Sequence, residues 1–153
     1  YHKLIFNILK EIFGERLKRP MMEECIANNT QRCDITFQNQ RTKGFFKQLD
    51  EGYHITCPNI FIECKNYSED LENTELFQIR CRLNKIRGQF GIICCRKIEN
   101  KRKLKARLDD AIKKEEYIVI LEDDDIYKLI KFKLNGNEDK IDEHIEEKFK
   151  KLI

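Results

Sequence analysis

The sequence predicts an α/β sandwich with a mixed central sheet, which has an antiparallel hairpin on one side and parallel strands on the other. Two strand-like runs, at 21–27 and 31–38, are separated by a short polar turn, as in a hairpin. Further along, apolar strand-like runs alternate with helix-like segments, at 59–65, 90–95 and 117–121. Alternation of strand and helix favours parallel crossovers, which are right-handed in nearly all cases.

The first predicted element is an amphipathic helix that packs one face on the sheet. Its apolar residues recur at helical spacing, and Gly14 follows as the stop: Leu4, Ile5, Ile8, Leu9 and Ile12. After the hairpin, 42–49 is predicted to be a short helix that Thr42 caps. Its packing residues are Phe45, Phe46 and Leu49.

Four more helices complete the predicted order of elements. One opens at Thr74 and closes at Gly88, with packing positions at Leu76, Ile79, Leu83 and Ile86. A basic helix is expected at 100–114, and another helix at 125–134. A last amphipathic helix follows the turn at 135–137, so we expect a core at 1–134 and a C-terminal helix within 135–153, packed on that core or on a partner.

Length and cysteine usage indicate a single domain in a reducing cytoplasm. The chain begins at Tyr1 without Met, so we expect a domain excised from a longer protein. The 153 residues suffice for a single core, and no apolar run approaches the roughly 20 residues of a membrane-spanning helix. The seven cysteines are scattered, odd in number and never spaced Cys-x-x-Cys, which favours free thiols over disulfides or zinc.

Charge is distributed unevenly, although the net charge is only +3. Eleven Lys or Arg residues stand between Arg80 and Arg107, against the single acid Glu99. Such a basic region is the electrostatic footprint of phosphate contacts. A solvated helix face explains residues 101–105 equally well. Arg80, Arg82 and Arg87 are the better candidates for nucleic-acid contacts because they follow Gln78 on the helix that should flank the segment with Glu63 and Lys65.

The most informative pattern is Asp34 followed downstream by Glu63 and Lys65 in an apolar run. Side chains alternate along a strand, so Phe61, Glu63 and Lys65 share one face while Cys64 faces away. Burying an unpaired carboxylate or ammonium is costly, and a divalent cation with a phosphate would supply partners to both. The alternative is an edge strand with a solvated Glu–Lys pair and Asp34 capping a turn.

The chain resembles the PD-(D/E)xK superfamily of nucleases, and within it the Mrr-like restriction endonucleases, in three segments: RCDITF at 32–37, FIECKN at 61–66 and ELFQ at 75–78. Cys33 stands where the family's name-giving Pro would be. The resemblance implies a restriction-endonuclease-like α/β/α sandwich with a nuclease core at 1–134. It also implies a metal-dependent endonuclease, acting on DNA more readily than on RNA, as the effector domain of a restriction or anti-phage defence protein.

The resemblance also assigns roles to individual residues. Asp34, Glu63 and the backbone carbonyl of Cys64 would hold Mg²⁺, for which Mn²⁺ would substitute, and hard oxygen ligands suit that ion. Lys65 would orient the attacking water or stabilise charge on the phosphate. Gln78 matches the polar residue that many members carry on the following helix.

Two further acids, Glu11 and Glu24, are candidates for the same cleft. An exposed helix position for Glu11 and a cross-strand pair for Glu24 are the alternatives. The expected partners are nucleic acid, a recognition or sensor domain elsewhere in the full-length protein, and a second copy in a homodimer, with no membrane. Three alternative functions stay open: an inactive nucleic-acid-binding module of the same fold, an RNA-cleaving nuclease, and an interaction domain that dimerises through the last helix.

Overall fold

The computed structural model describes residues 1–26, 31–66 and 73–153. The described strands are β1 (Leu17–Ile26), β2 (Gln31–Asn39), β3 (Asn59–Lys65), β4 (Phe90–Cys95) and β5 (Tyr117–Glu122). The helices are α1 (His2–Phe13), α2 (Gly44–Glu51), α3 (Asn73–Arg80), α4 (Lys101–Ile112), α5 (Asp123–Leu134) and α6 (Glu138–Lys150).

The five strands form one mixed sheet in the order β1-β2-β3-β4-β5. β1 with β2 and β2 with β3 are antiparallel, whereas β3 with β4 and β4 with β5 are parallel. This confirms the predicted α/β class and mixed sheet. β3 is the middle strand, and its five interior residues are buried, as the apolar run predicted.

Helices cover both faces of the sheet, and the strand pleat decides which residue enters which core. Ile60, Ile62 and Cys64 of β3 belong to a core shared with α1, α2, α5 and α6. Phe61 belongs to a second core, shared with α3 and α4. Because alternate residues face opposite ways, Glu63 and Lys65 lie on the α3–α4 side, away from Cys64 as expected.

The helix predicted to run from Thr74 to Gly88 is shorter, because α3 ends at Arg80. Asn84 forms a tight turn in which its side-chain oxygen accepts from the backbone N–H groups of Ile86 and Arg87. Ile86, predicted to pack, is therefore 87% exposed. Gly88 has φ +141°, and a Cβ there would lie 2.4 Å from the carbonyl oxygen of Asn59, so the turn requires glycine.

Three other boundaries or faces differ from the predictions. Leu4, predicted to pack, is exposed. β1 begins at Leu17, ahead of the predicted start, and its register with β2 shifts between Lys18 and Met21. α2 begins at Gly44, after the predicted cap Thr42, because Gly44 adopts φ +66° against the Asp142 carboxylate.

The C-terminal helix packs on its own domain, which was one of the two predicted options. Ile141, Ile145 and Phe149 of α6 are buried in the same core as β3 and β4. The described cysteines Cys57, Cys64, Cys81, Cys94 and Cys95 are free, and burial raises the pKa of the Cys57 thiol to about 11. None of the described helices is long and apolar enough to cross a membrane.

A buried carboxylate at the start of α5 makes stability depend on pH. Burial favours the neutral form of Asp125, but hydrogen bonds from His144 and Lys148 outweigh it and lower the pKa to about 2. Because the pKa of Asp125 is lower in the folded state, the carboxylate stabilises the fold fully at a pH above its unfolded-state pKa of about 4. That stabilisation is lost as the pH falls towards 2. We expect about 2 kcal/mol from this group.

Urea unfolding of the wild type and Asp125→Asn measures that contribution. The difference in the free energy of unfolding should shrink by about 2 kcal/mol between pH 5 and pH 2. A difference that stays constant over this range would show that the Asp125 carboxyl titrates normally in the folded protein.

Candidate active site

The candidate site lies where β2 and β3 diverge, at the carboxyl end of β3. The two strands pair from Gln38 with Asn59 up to Ile35 with Ile62, and the next position in that register puts Asp34 opposite Glu63. In the strand pleat both belong to the sheet face that carries Lys65. The hairpin and the central strand therefore bring Asp34 beside the Glu-x-Lys segment, as the sequence predicted.

Glu63 is the centre of a network of charged and polar groups. The residue is 4% exposed. Its Oε1 accepts from Lys65 Nζ at 3.0 Å, and its Oε2 accepts from Arg82 at 2.6 Å. Lys65 Nζ also donates to Gln78 Oε1 at 3.1 Å. The network thus holds the Lys65 ammonium at a fixed position between a carboxylate and an amide.

Arg82 occupies a place that differs from the predicted phosphate contact. It is 5% exposed, and its charge is neutralised by Glu63 inside the site. The reason is the early end of α3: the Arg82 N–H bonds to the Ile79 carbonyl in a turn, so its side chain points back towards β3. Within the described residues, Arg82 Nε is buried without a hydrogen-bond partner.

His2, at the start of α1, reaches the same end of β3. Its Nε2 donates to the Cys64 carbonyl at 2.8 Å and lies 3.8 Å from Asp34 Oδ2. Asp34 Oδ2 in turn accepts from the Cys64 N–H at 2.8 Å. The His2 imidazole therefore lies close to both the Cys64 carbonyl oxygen and the Asp34 carboxylate.

These oxygen donors suit a hard divalent cation such as Mg²⁺, which binds one or two carboxylates and keeps several waters. Asp34 and the Cys64 carbonyl meet this requirement directly. Both oxygens of Glu63 are held by cationic side chains, so Glu63 would have to exchange one of them to bind metal. Among the described residues, no group of three or more His, Cys, Asp or Glu side chains forms a metal cluster.

The two additional acids have different outcomes. Glu11 is exposed and lies nine residues after His2 on α1, about 13 Å further along the helix axis, so it does not reach the site. Of the two positions considered for Glu11, the structure shows the exposed helix position. The backbone of Glu24 pairs with Cys33, next to Asp34, and its side chain lies outside the described part of the structure.

Several residues of the predicted basic region form ion pairs with acidic side chains. Arg80 pairs with Asp110 and Glu116, Lys85 with Glu115, Lys101 with Glu122 and Lys105 with Asp109. Arg87 is half-buried, and its guanidinium lies 3.4 Å from the Cys81 carbonyl. Arg80 therefore contacts acidic side chains, whereas it was predicted to lie on a free phosphate-binding face.

Sequence reasoning missed His2 and the inward position of Arg82. His2 is separated from Cys64 by 62 positions, and no local pattern indicates which end of α1 faces the site. A signal for Arg82 was present: a buried Glu63 requires neutralisation, and Lys65 alone leaves one carboxylate oxygen without a partner.

Comparison of the chain with protein-family models, with curated proteins and with solved structures found no match.

Proposed function

We propose that this domain is a metal-dependent endonuclease that hydrolyses phosphodiester bonds, most readily in DNA, with a restriction-endonuclease-like fold. The observation that carries the proposal is the convergence of Asp34, the Glu63–Lys65 pair and Gln78 at one end of the antiparallel β2–β3 pair. The order of helix, antiparallel hairpin and parallel crossovers supports the fold. The placement of this domain in a restriction or anti-phage defence protein belongs to the same proposal.

Asp34, the Cys64 carbonyl and Glu63 would hold the cation, which when bound supplies charge to polarise the scissile phosphate and to acidify a water. Lys65 supplies a fixed positive charge and N–H donors. Its ammonium would donate to the attacking water or to a phosphate oxygen as negative charge develops in the transition state. Gln78 holds that ammonium in place through its side-chain carbonyl.

Arg82 has a supporting role in this mechanism. When the substrate recruits Lys65, Glu63 keeps one cationic partner at 2.6 Å, so its buried negative charge stays compensated. His2 would position the Cys64 carbonyl by hydrogen bonding, or move aside as the cation binds, since its Nε2 lies 2.8 Å from that carbonyl and 3.8 Å from Asp34 Oδ2.

A second candidate function is a nucleic-acid-binding module of the same fold that does not cut. The full occupation of the Glu63 carboxylate by Lys65 and Arg82 favours it, because a carboxylate held by two cations needs no metal. The two candidates differ in their requirement for a divalent cation.

The deciding experiment incubates the purified protein with supercoiled plasmid, single-stranded DNA and RNA. The nuclease proposal expects cleavage with Mg²⁺ or Mn²⁺, loss of that cleavage in EDTA, and recovery when Mg²⁺ is restored in excess. Binding of the same substrates without product, at every cation concentration, would establish the module that does not cut.

A further inference from the structure

A groove lies on the sheet face that carries Asp34 and Glu63, over β1, β2 and β3. We call it the strand groove. Its volume is about 300 Å³, and six of its lining residues are polar, basic or aromatic: Arg19, Thr36, Gln38, Asn59, Phe61 and Arg87. Arg19 enters it from the register shift in β1, where its backbone adopts φ +46°.

The strand groove is continuous with the candidate site. Thr36 pairs with Phe61 and Gln38 with Asn59, and these positions follow Asp34 and Glu63 on the same face of the two strands. Two residues of a strand span about 7 Å, so the groove begins at Thr36, about 7 Å from Asp34, and reaches Gln38, about 13 Å from Asp34. A nucleic-acid strand with one phosphate at Asp34 would continue directly into the strand groove.

The lining has the chemistry of an anion site. Arg19 and Arg87 bring two guanidinium groups, and no acidic side chain lines the groove in the described part of the chain. Gln38 and Asn59 add amides, and the Asn59 amide is oriented by its hydrogen bond to the Arg87 carbonyl at 2.9 Å. Arginine with side-chain amides is the usual set that contacts nucleic-acid phosphates and sugars.

One buried hydroxyl supplies an independent reason to expect a ligand. Thr36 is 4% exposed, it lines the groove, and within the described residues its Oγ1 has no hydrogen-bond partner. A buried hydroxyl without a partner costs free energy, and such groups in folded proteins usually have an explanation. A phosphate oxygen in the groove would accept the Thr36 hydrogen bond.

We propose that the strand groove binds the sugar–phosphate backbone of the cut DNA strand, next to the scissile phosphodiester. Arg19 and Arg87 neutralise the phosphate, and Thr36 donates to one of its oxygens. This inference rests on the proposed function for the position of the scissile bond. It moves the nucleic-acid path away from Arg80 and Arg82, whose guanidinium groups are engaged by carboxylates, and retains Arg87.

The test measures binding separately from cleavage. Fluorescence anisotropy of labelled single-stranded and duplex DNA oligonucleotides, in EDTA, compares the wild type with Arg19→Ala and Thr36→Val. Lys128→Ala is the control, since Lys128 is an exposed lysine of α5, on the other side of the sheet. Thermal unfolding verifies that each variant is folded, and Gln38→Ala replaces Thr36→Val if the latter does not fold.

We expect Arg19→Ala to weaken binding about five- to eightfold at 0.1 M salt and to flatten the salt slope by about 0.7 to 0.9. Thr36→Val should weaken binding about tenfold. Its salt slope should equal that of Lys128→Ala, because Thr36 carries no charge. Lys128→Ala should bind as the wild type does.

Parallel cleavage assays in Mg²⁺ separate this inference from the proposed function. If wild-type protein cuts DNA and the groove variants bind like Lys128→Ala, the groove inference is overturned and the nuclease stands. If binding depends on the groove but nothing is cut, the groove stands as a DNA-backbone site without an adjacent scissile bond, and the nuclease proposal fails. Absence of DNA binding by the wild type would overturn the groove inference as well.

Discussion

Replacing Lys65 by Met is expected to lower the rate of DNA cleavage about 10²- to 10³-fold while the thermal unfolding temperature falls by only about 2 to 6 °C. Met keeps most of the apolar stem but removes the ammonium that bonds to Glu63 and Gln78. The fold should tolerate the change because Arg82 still neutralises Glu63. Single-turnover cleavage of a plasmid in saturating Mg²⁺ measures the rate.

Lys128→Met is the matched control, because it removes an exposed lysine of α5 and should cut at the wild-type rate. Cleavage by Lys65→Met within threefold of wild type would rule out a catalytic role for the ammonium. It would leave the Lys65–Glu63 pair as a structural ion pair only.

Glu63 requires a different experiment, since its removal changes both chemistry and stability. Glu63→Gln leaves the guanidinium of Arg82 buried without its counter-charge, at an expected cost of about 3–5 kcal/mol in the free energy of unfolding. A loss of cleavage in this variant could therefore reflect unfolding. The double variant Glu63→Gln with Arg82→Met should recover most of the stability and still fail to cut.

An equally large effect on stability is expected at Arg16, which links the segment after α1 to α6. The residue is 2% exposed. Its guanidinium donates to both carboxylate oxygens of Asp142 at 2.8 and 2.6 Å, and to the carboxylate and the backbone carbonyl of Glu138 at 2.7 Å each. Removing one partner of such a buried pair typically costs about 3–5 kcal/mol.

Urea unfolding of Arg16→Met at pH 7 tests this expectation. Met fills part of the buried volume but leaves the Asp142 and Glu138 oxygens without the guanidinium. The control is Lys43→Met, which breaks the exposed pair with Glu15 and should cost less than about 1 kcal/mol. An equal loss in both variants would mean that the Arg16 contacts add no more than a surface ion pair does.

Residue patterns within single segments determined the sheet and the relative positions of the predicted site residues. Alternation along β3 placed Glu63 and Lys65 on one face and Cys64 on the other, and the hairpin pattern placed Asp34 on a strand, which the structure shows to be the neighbour of β3. These predictions succeeded because the period of two is a property of any strand, and consecutive strands commonly pair. The parallel strands β4 and β5 followed from the same local reasoning.

The surroundings of that site depended on the tertiary structure. The Arg82 side chain bonds to Glu63 because α3 ends at Arg80 and the chain turns back towards β3. His2 contacts the Cys64 carbonyl because α1 starts at the carboxyl end of β3. The strand groove is lined by both Arg19 and Arg87, which are far apart in sequence and lie over one face of the sheet. Such contacts depend on which helix covers which face and where it stops. That choice is made by the burial of a whole core, so no short stretch of sequence encodes it.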